Sequence, residues 1–290
     1  MVTANADALQ EADHVFSAQW NVRVFVAGAT FLLAEYIQTL ELEVSLVWPS
    51  PWNHVKIVYF LNRLVPFMII ICGIYYNLST HLMSNLECRA LFSIGCWGVA
   101  LSILISELIL YFRVYALSGR GRVIKHFIVI NGVLIWASSL ALVGKYLELG
   151  TWTTYESNSR ILGCTTSSTS ANHSQLIMIS YAILLYSGIA MMVLSVYYGL
   201  RGYWRSKHSP LVKVFYRDGT FYFIALTVMA TLNGVAAILL PWQYRFLMAT
   251  PQVVIHTTLS TRMTLHLREA GQIGIIGFSE PSLDSMTFRT

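Results

Sequence analysis

Charge is scarce in this chain of 290 residues. Asp, Glu, Lys and Arg make up 11% of it, against about 25% in an ordinary soluble domain. A surface with so few charges faces lipid, not water. The other side of that shortage is 56% hydrophobic residues and a mean hydropathy of +0.58. Sequence signals for several chemistries are missing as well. No GxxxxGK[ST] or HExxH string occurs, so neither a P-loop nor a zinc-protease helix is expected. The histidines are scattered singly, and no metal or cofactor is expected. The stretch from Gly271 to Gly277 has the wrong spacing for a phosphate loop and reads as flexible tail. The last apolar segment has no lysine, which excludes a retinal Schiff base there. The first twenty residues hold Asp7, Glu11 and Asp13 but no Lys or Arg, so no cleavable signal peptide is expected. No internal repeat is seen, which weighs against a transporter built from duplicated halves.

Long apolar runs are what the sequence does have. A helical span needs about 20 mainly apolar residues. Seven segments approach this: Val22–Leu40, Val55–Leu78, Cys88–Leu117, Val123–Leu147, Ser174–Tyr203, Val214–Leu240 and Phe246–Leu267. The expected fold class is all-α, a polytopic seven-transmembrane helix bundle over residues 22–267, with tails at 1–21 and 268–290. The seventh segment is the most polar, with His256, Arg262, His266 and many threonines, so it is expected to be shielded by other helices. Pro66 and Pro251 are expected to kink or locally open the second and seventh helices.

Orientation follows from the basic residues. Arg23, Arg89, Lys145, Arg160 and Arg245 fall on one side, and the other 14 of the 19 fall on the opposite side. The positive-inside rule puts the 14 in the cytoplasm. The N-terminus is then outside and the C-terminus inside, in the plasma membrane or a secretory-pathway membrane. The net charge of +5 is accounted for by loops beside anionic lipid, and no nucleic-acid partner is expected.

Cys88 opens the third helix on the outer side, and Cys164 lies in the longest outer loop. The other two of the four cysteines, Cys72 and Cys96, fall within spans. In an oxidising compartment a Cys88–Cys164 disulfide is expected, and seven-helix receptors bridge the same two places. Asn77 and Asn172 each open a glycosylation triplet on the outer side.

Ionisable groups inside spans are expensive and normally face a partner. Glu35, Arg63 and Glu107 lie in the inner halves of the first three helices, with Glu41, Glu43, Arg113, Asp218 and Arg262 nearby at the inner mouth. Opposite signs at similar depth predict that Arg63 pairs with Glu107 or Glu35. The group reads as an inner polar network, either a switchable lock or a static packing feature.

Three strings stand out: Tyr36-Ile37-Gln38-Thr39-Leu40-Glu41-Leu42-Glu43-Val44, then Val47-Trp48-Pro49, then Lys56-Ile57-Val58-Tyr59-Phe60-Leu61-Asn62-Arg63. Together they resemble the signature of a mushroom-type fungal family of seven-helix membrane proteins, known only as a domain of unknown function (DUF 6533). The similarity extends to Phe112–Leu117, Val214–Gly219, Ser260–Met263 and Leu267–Glu269, with Thr261 standing where serine is expected. The resemblance implies seven helices and a membrane location, and no activity. From the residues themselves, a receptor-like bundle sensing a small or lipophilic ligand is the leading expectation, with a cytoplasmic partner at the basic inner loops. The alternatives are an intramembrane enzyme acting on a lipid or terpenoid, with Glu35 or Glu107 as its acid, and a small transporter. An outward cavity below the Cys164 loop marks a receptor. A carboxylate at the bottom of an apolar pocket marks an enzyme.

Overall fold

The protein is described by a computed structural model over residues 2–78, 84–150, 152–157, 160–166, 171–205, 210–240, 244 and 246–279. Among these residues seven helices form: α1 (Val2–Leu46), α2 (His54–Leu78), α3 (Asn85–Leu117), α4 (Arg122–Leu149), α5 (Ala171–Arg205), α6 (Pro210–Leu239) and α7 (Ala249–Ser279). Between α4 and α5 the chain forms an antiparallel hairpin of β1 (Trp152–Ser157) and β2 (Arg160–Thr166).

Each helix contacts the next in chain order, and α7 closes the ring against α1. Helix α3 also meets α5 and α7, and α2 also meets α7, so α3 and α7 run nearest the axis. Burial agrees: α7 turns Gln252, Val253, Val254, Thr257, Ser260, Thr261, Met263 and Leu265 inward. Its polar residues are thus shielded by neighbouring helices.

Five helices are long and apolar enough to cross a membrane among the described residues: those at Gln19–Leu46, His54–Tyr76, Asn85–Leu117, Arg122–Leu149 and Gln175–Arg201. The 25 residues of α2 rise about 37 Å, more than the ~30 Å of bilayer hydrocarbon. Helix α6 carries a shorter apolar stretch, Ile224–Ala236. The outward faces are apolar too: Ile37, Met68 and Leu134 are 65%, 63% and 64% exposed. Such a surface is a liability in water and ordinary in lipid. Helix α4 shows the inversion clearly. Its buried stripe holds Asn131, Gly132 and Ser139 beside Ile128 and Ile135, while Val129, Ile130, Val133 and Leu134 face outward. Small residues at the interface let helices approach closely when lipid is no less apolar than the core. The protein is a polytopic helical membrane protein.

Local signals explain several ends. Ser84 caps α3 in a capping box: its hydroxyl accepts from the Glu87 N–H (3.2 Å), and the Glu87 carboxylate accepts from the Ser84 N–H (2.9 Å). Gly119 and Arg120 take positive φ, turning the chain from α3 into α4. Pro66 lies inside α2. Pro251 falls in the first turn of α7, where a missing N–H costs no helical bond, so the predicted opening of that helix at proline has no basis.

Two segments differ from the sequence reading. Helix α1 begins at Val2, within the stretch read as a tail. The long loop is a β-hairpin whose register aligns Trp152 with Thr166 and Thr154 with Cys164. β1 lies against α3 and β2 against α2, so the hairpin marks one end of the bundle. The α1–α2 turn marks the other.

Candidate functional site

At the hairpin end α1, α2, α3, α4, α5 and α7 line a cavity of about 250 Å³. Its walls are aromatic and aliphatic. Phe92 and Tyr146 meet Phe246 edge-on, with ring centroids 5.8 and 5.7 Å apart, and Tyr76 meets Phe92 at 6.4 Å. Glycine plays opposite parts here. A Cβ on Gly98 would lie 2.7 Å from Ile69, so glycine lets α2 and α3 close up. A Cβ on Gly95, which lines the cavity, would meet nothing within 4 Å. Cys72 and Cys96 also line the space and are free thiols.

Gln252 and Leu184 form the floor and are shared with a second, smaller cavity of about 20 Å³. That volume holds about one water. Around it stand Glu107, Tyr111, Ser187 and His256. The Ser187 hydroxyl donates to Glu107 Oε2 (3.3 Å) and shares a 2.9 Å bond with the Tyr111 hydroxyl. Gln252 accepts at Oε1 from the Asn233 amide of α6. Its Nε2, Asn233 Oδ1 and both ring nitrogens of His256 are buried and make no hydrogen bond.

Farther from the hairpin, Asn62 ties three helices. Its Nδ2 donates to the Ser260 hydroxyl (2.9 Å) and to the Thr261 hydroxyl (3.3 Å), and its Oδ1 accepts from Ser106 (2.6 Å). Ser102 and Thr257 approach at 3.5 Å beside it.

Below this layer lies the ion cluster of α1 and α2. Arg63 Nε is 2.9 Å from Glu43 Oε2, and both side chains are almost wholly buried. The contact is an ion pair by distance, without aligned hydrogen-bond geometry at Nε. Arg63 Nη2 donates to the Thr39 hydroxyl (2.6 Å) and the Tyr36 carbonyl (3.1 Å), and the guanidinium lies 4.4 Å from the centre of the Tyr36 ring. Glu43 also accepts from the Tyr59 hydroxyl (3.2 Å) and the Trp48 indole (3.4 Å). Lys56, buried at the start of α2, donates to the carbonyls of Trp48 (2.9 Å) and Ser50 (2.6 Å), which pins the turn. Arg268 of α7 reaches the Leu46 carbonyl and the Ser50 hydroxyl.

The predicted partner of Arg63 is therefore corrected. Glu107 turns toward α5 and Ser187. Glu35 is taken by Arg262, which holds it through two bonds of 2.7 and 2.8 Å. Glu35, Thr39 and Glu43 succeed one another at four-residue spacing, so they share one face of α1. The long arginine side chain carries its head group toward the turn, where Glu43 waits. Of the other sites expected from sequence, Glu41 is exposed. Arg113 is buried and donates to the Met263 sulfur. The side chains of Asp218, Cys164, Asn77 and Asn172 lie outside the described residues. Cys88 is buried and disulfide-bonded. Sequence reasoning missed Asn62, Gln252 and Lys56. Asn62 had a signal, since it precedes Arg63 inside a span. Gln252 had little, being one polar residue in a polar helix.

Residues 23–68 match the model of a family of unknown function (DUF6533). The match runs from α1 through the first half of α2 and takes in Glu35, Tyr36, Thr39, Glu43, Lys56, Tyr59, Asn62 and Arg63. The later strings that carry the resemblance stand outside it. A search of curated proteins gives no match.

Proposed function

We propose that this chain is a receptor-like seven-helix membrane protein that takes a small lipophilic ligand into the cavity at the hairpin end. The observation that carries the reading is the cavity itself, about 250 Å³ and walled by aromatic rings, directly above buried polar layers that join α2, α3 and α7. Ligand sites between helices have this composition, an apolar lining with few polar groups.

In this reading the hairpin end faces outward and the α1–α2 turn faces the cytoplasm. The basic asymmetry of the loops supports that orientation, and in it the basic ends of α5 and α6 would meet a cytoplasmic partner. A Cys88–Cys164 disulfide fits as well. Cys88 is disulfide-bonded, Cys72 and Cys96 are free, and the strand paired with β2 lies against α3. Such a bridge would fix the hairpin over the cavity mouth.

An intramembrane enzyme is the second reading, favoured by the buried Glu107 carboxylate beside the small cavity. Leu184 and Gln252 stand between that carboxylate and the large cavity, which supports binding over catalysis.

The test is extraction of bound molecules. Protein purified from membranes in mild detergent is expected to carry a small lipophilic compound detectable by mass spectrometry. Gly95→Leu, at a cavity-lining position where a Cβ meets nothing within 4 Å, is expected to lose that compound at unchanged yield. Equal occupancy in both proteins, or none in either, overturns the reading.

A further inference from the structure

We infer that the ligand of this cavity is an apolar molecule ending in one uncharged hydrogen-bonding group, a hydroxyl or carbonyl, anchored at Gln252. The inference rests on the cavity being a ligand site and adds the chemistry of what fills it.

Buried polar groups are almost always hydrogen-bonded, so an orphan calls for a missing partner. Three orphaned groups adjoin one another: Gln252 Nε2, Asn233 Oδ1 on the residue bonded to Gln252, and the His256 ring, which lines the smaller cavity. Gln252 is wholly buried and lines both cavities. His256 follows it by one helical turn on the same face of α7. Asn233 already uses its amide N–H group on Gln252 Oε1, so a donor on Gln252 and an acceptor on Asn233 are left over. Of the two, the Gln252 donor is the one that borders the cavity, and a ligand hydroxyl or carbonyl oxygen satisfies it. Ser180 bonds the Leu176 carbonyl (3.0 Å), and among the described residues no Asp, Glu, Lys or Arg lines the space. A charged end would lie desolvated and unpaired.

Size narrows the class. The space exceeds the ~150 Å³ that holds benzene in an engineered core and falls just short of the ~300 Å³ at which drug-sized sites begin. A compact medium-chain or monocyclic alcohol, ketone or lactone fits these bounds. A sterol or phospholipid does not.

The test uses 1-octanol, octane and octanoate with the full chain in lipid nanodiscs. Dissociation constants come from the concentration dependence of the melting temperature. One added hydrogen bond predicts that 1-octanol binds about 3- to 10-fold more tightly than octane, and octanoate more weakly than either. Asn233→Leu with Gln252→Leu removes both amides together, leaving no new orphan, and is expected to abolish the preference. Gly95→Leu is expected to abolish binding of all three. Equal affinity for octane and octanol, lost together in Gly95→Leu, overturns the polar anchor and leaves the lipophilic cavity standing. An octanol preference that survives in the double variant overturns the assignment to Gln252. Shifts that persist in Gly95→Leu overturn the ligand site itself. Independently of any variant, the carbonyl stretch of 2-octanone bound to the unaltered protein is expected at the lowered frequency of a hydrogen-bonded ketone. A stretch matching that in alkane solution overturns the inference.

Discussion

Breaking the Glu43–Arg63 pair is the most informative perturbation of the polar cluster at the α1–α2 end. At 2.9 Å two unit charges attract by about 6 kcal/mol at an effective dielectric constant near 20, before desolvation is counted. Both side chains are buried, so desolvation offsets much of that attraction. What remains after truncation is the cost of one charge left alone, about 3–5 kcal/mol. Arg63→Ala leaves Glu43 with only the neutral donors of Tyr59 and Trp48. Glu43→Ala leaves Arg63 with the Thr39 hydroxyl, the Tyr36 carbonyl and the Tyr36 ring. The double variant strands neither charge, so its cost is expected to fall below the sum of the singles by about 2–3 kcal/mol. Pairing Arg63→Ala with Glu107→Ala is expected to be additive within about 0.5 kcal/mol, because Glu107 is bonded instead to Ser187 of α5. Arg262→Ala is expected to cost about 1 kcal/mol, since its side chain is 37% exposed and solvent screens the bond to Glu35. Unfolding free energies can be measured by SDS titration in mixed micelles. A thiol-reactive fluorophore reports the exposure of free Cys72 and Cys96. Additivity of Glu43→Ala and Arg63→Ala, or coupling of Arg63 to Glu107, refutes the reasoning.

Two further outcomes are expected in the same assay. Asn62→Ala is expected to cost about 2–3 kcal/mol, because the hydroxyls of Ser106, Ser260 and Thr261 lose a buried partner together; a loss under 0.5 kcal/mol contradicts its role as a tie. Gly98→Ala is expected to cost about 1–3 kcal/mol by driving its methyl into Ile69, while Gly95→Ala stays within about 0.5 kcal/mol; equal effects at the two positions contradict the close α2–α3 approach.

The helices were legible because length and hydropathy decide them. The observed α2, α3 and α4 agree with the sequence bounds to within three residues at every end. The extension of α1 back to Val2 was hidden because residues 2–20 carry good helix formers, several alanines among them, without an apolar run. Hydropathy measures membrane crossing, not helicity. The hairpin was hidden for another reason. Trp152-Thr153-Thr154-Tyr155 is rich in the aromatic and β-branched residues that favour strands, but the expectation of a loop between two spans overrode the local signal.

The partner of Arg63 was misread because depth along the chain says nothing about facing. Glu107 and Arg63 sit at similar depth, yet helical rotation aims Glu107 at α5. Ser102 and Ser106 occupy the face of α3 toward α2 and α7. The sequence did hold the answer in its spacing. Glu35, Thr39 and Glu43 make a single polar stripe on α1, and an arginine opposite a stripe with two carboxylates must choose between them. That choice depended on Arg262, 199 positions beyond Arg63 in the chain, which takes Glu35 and leaves Glu43. Only tertiary structure brings such a competitor into view. The cavity was hidden more deeply still, since a cavity is made by side chains that are not there. Gly95 and Gly98 are the same residue three positions apart on one helix. One lets α2 approach α3, and the other borders the open cavity. No local pattern separates them, because the difference lies in what stands opposite: Ile69 against Gly98, and nothing within 4 Å of a Cβ at position 95.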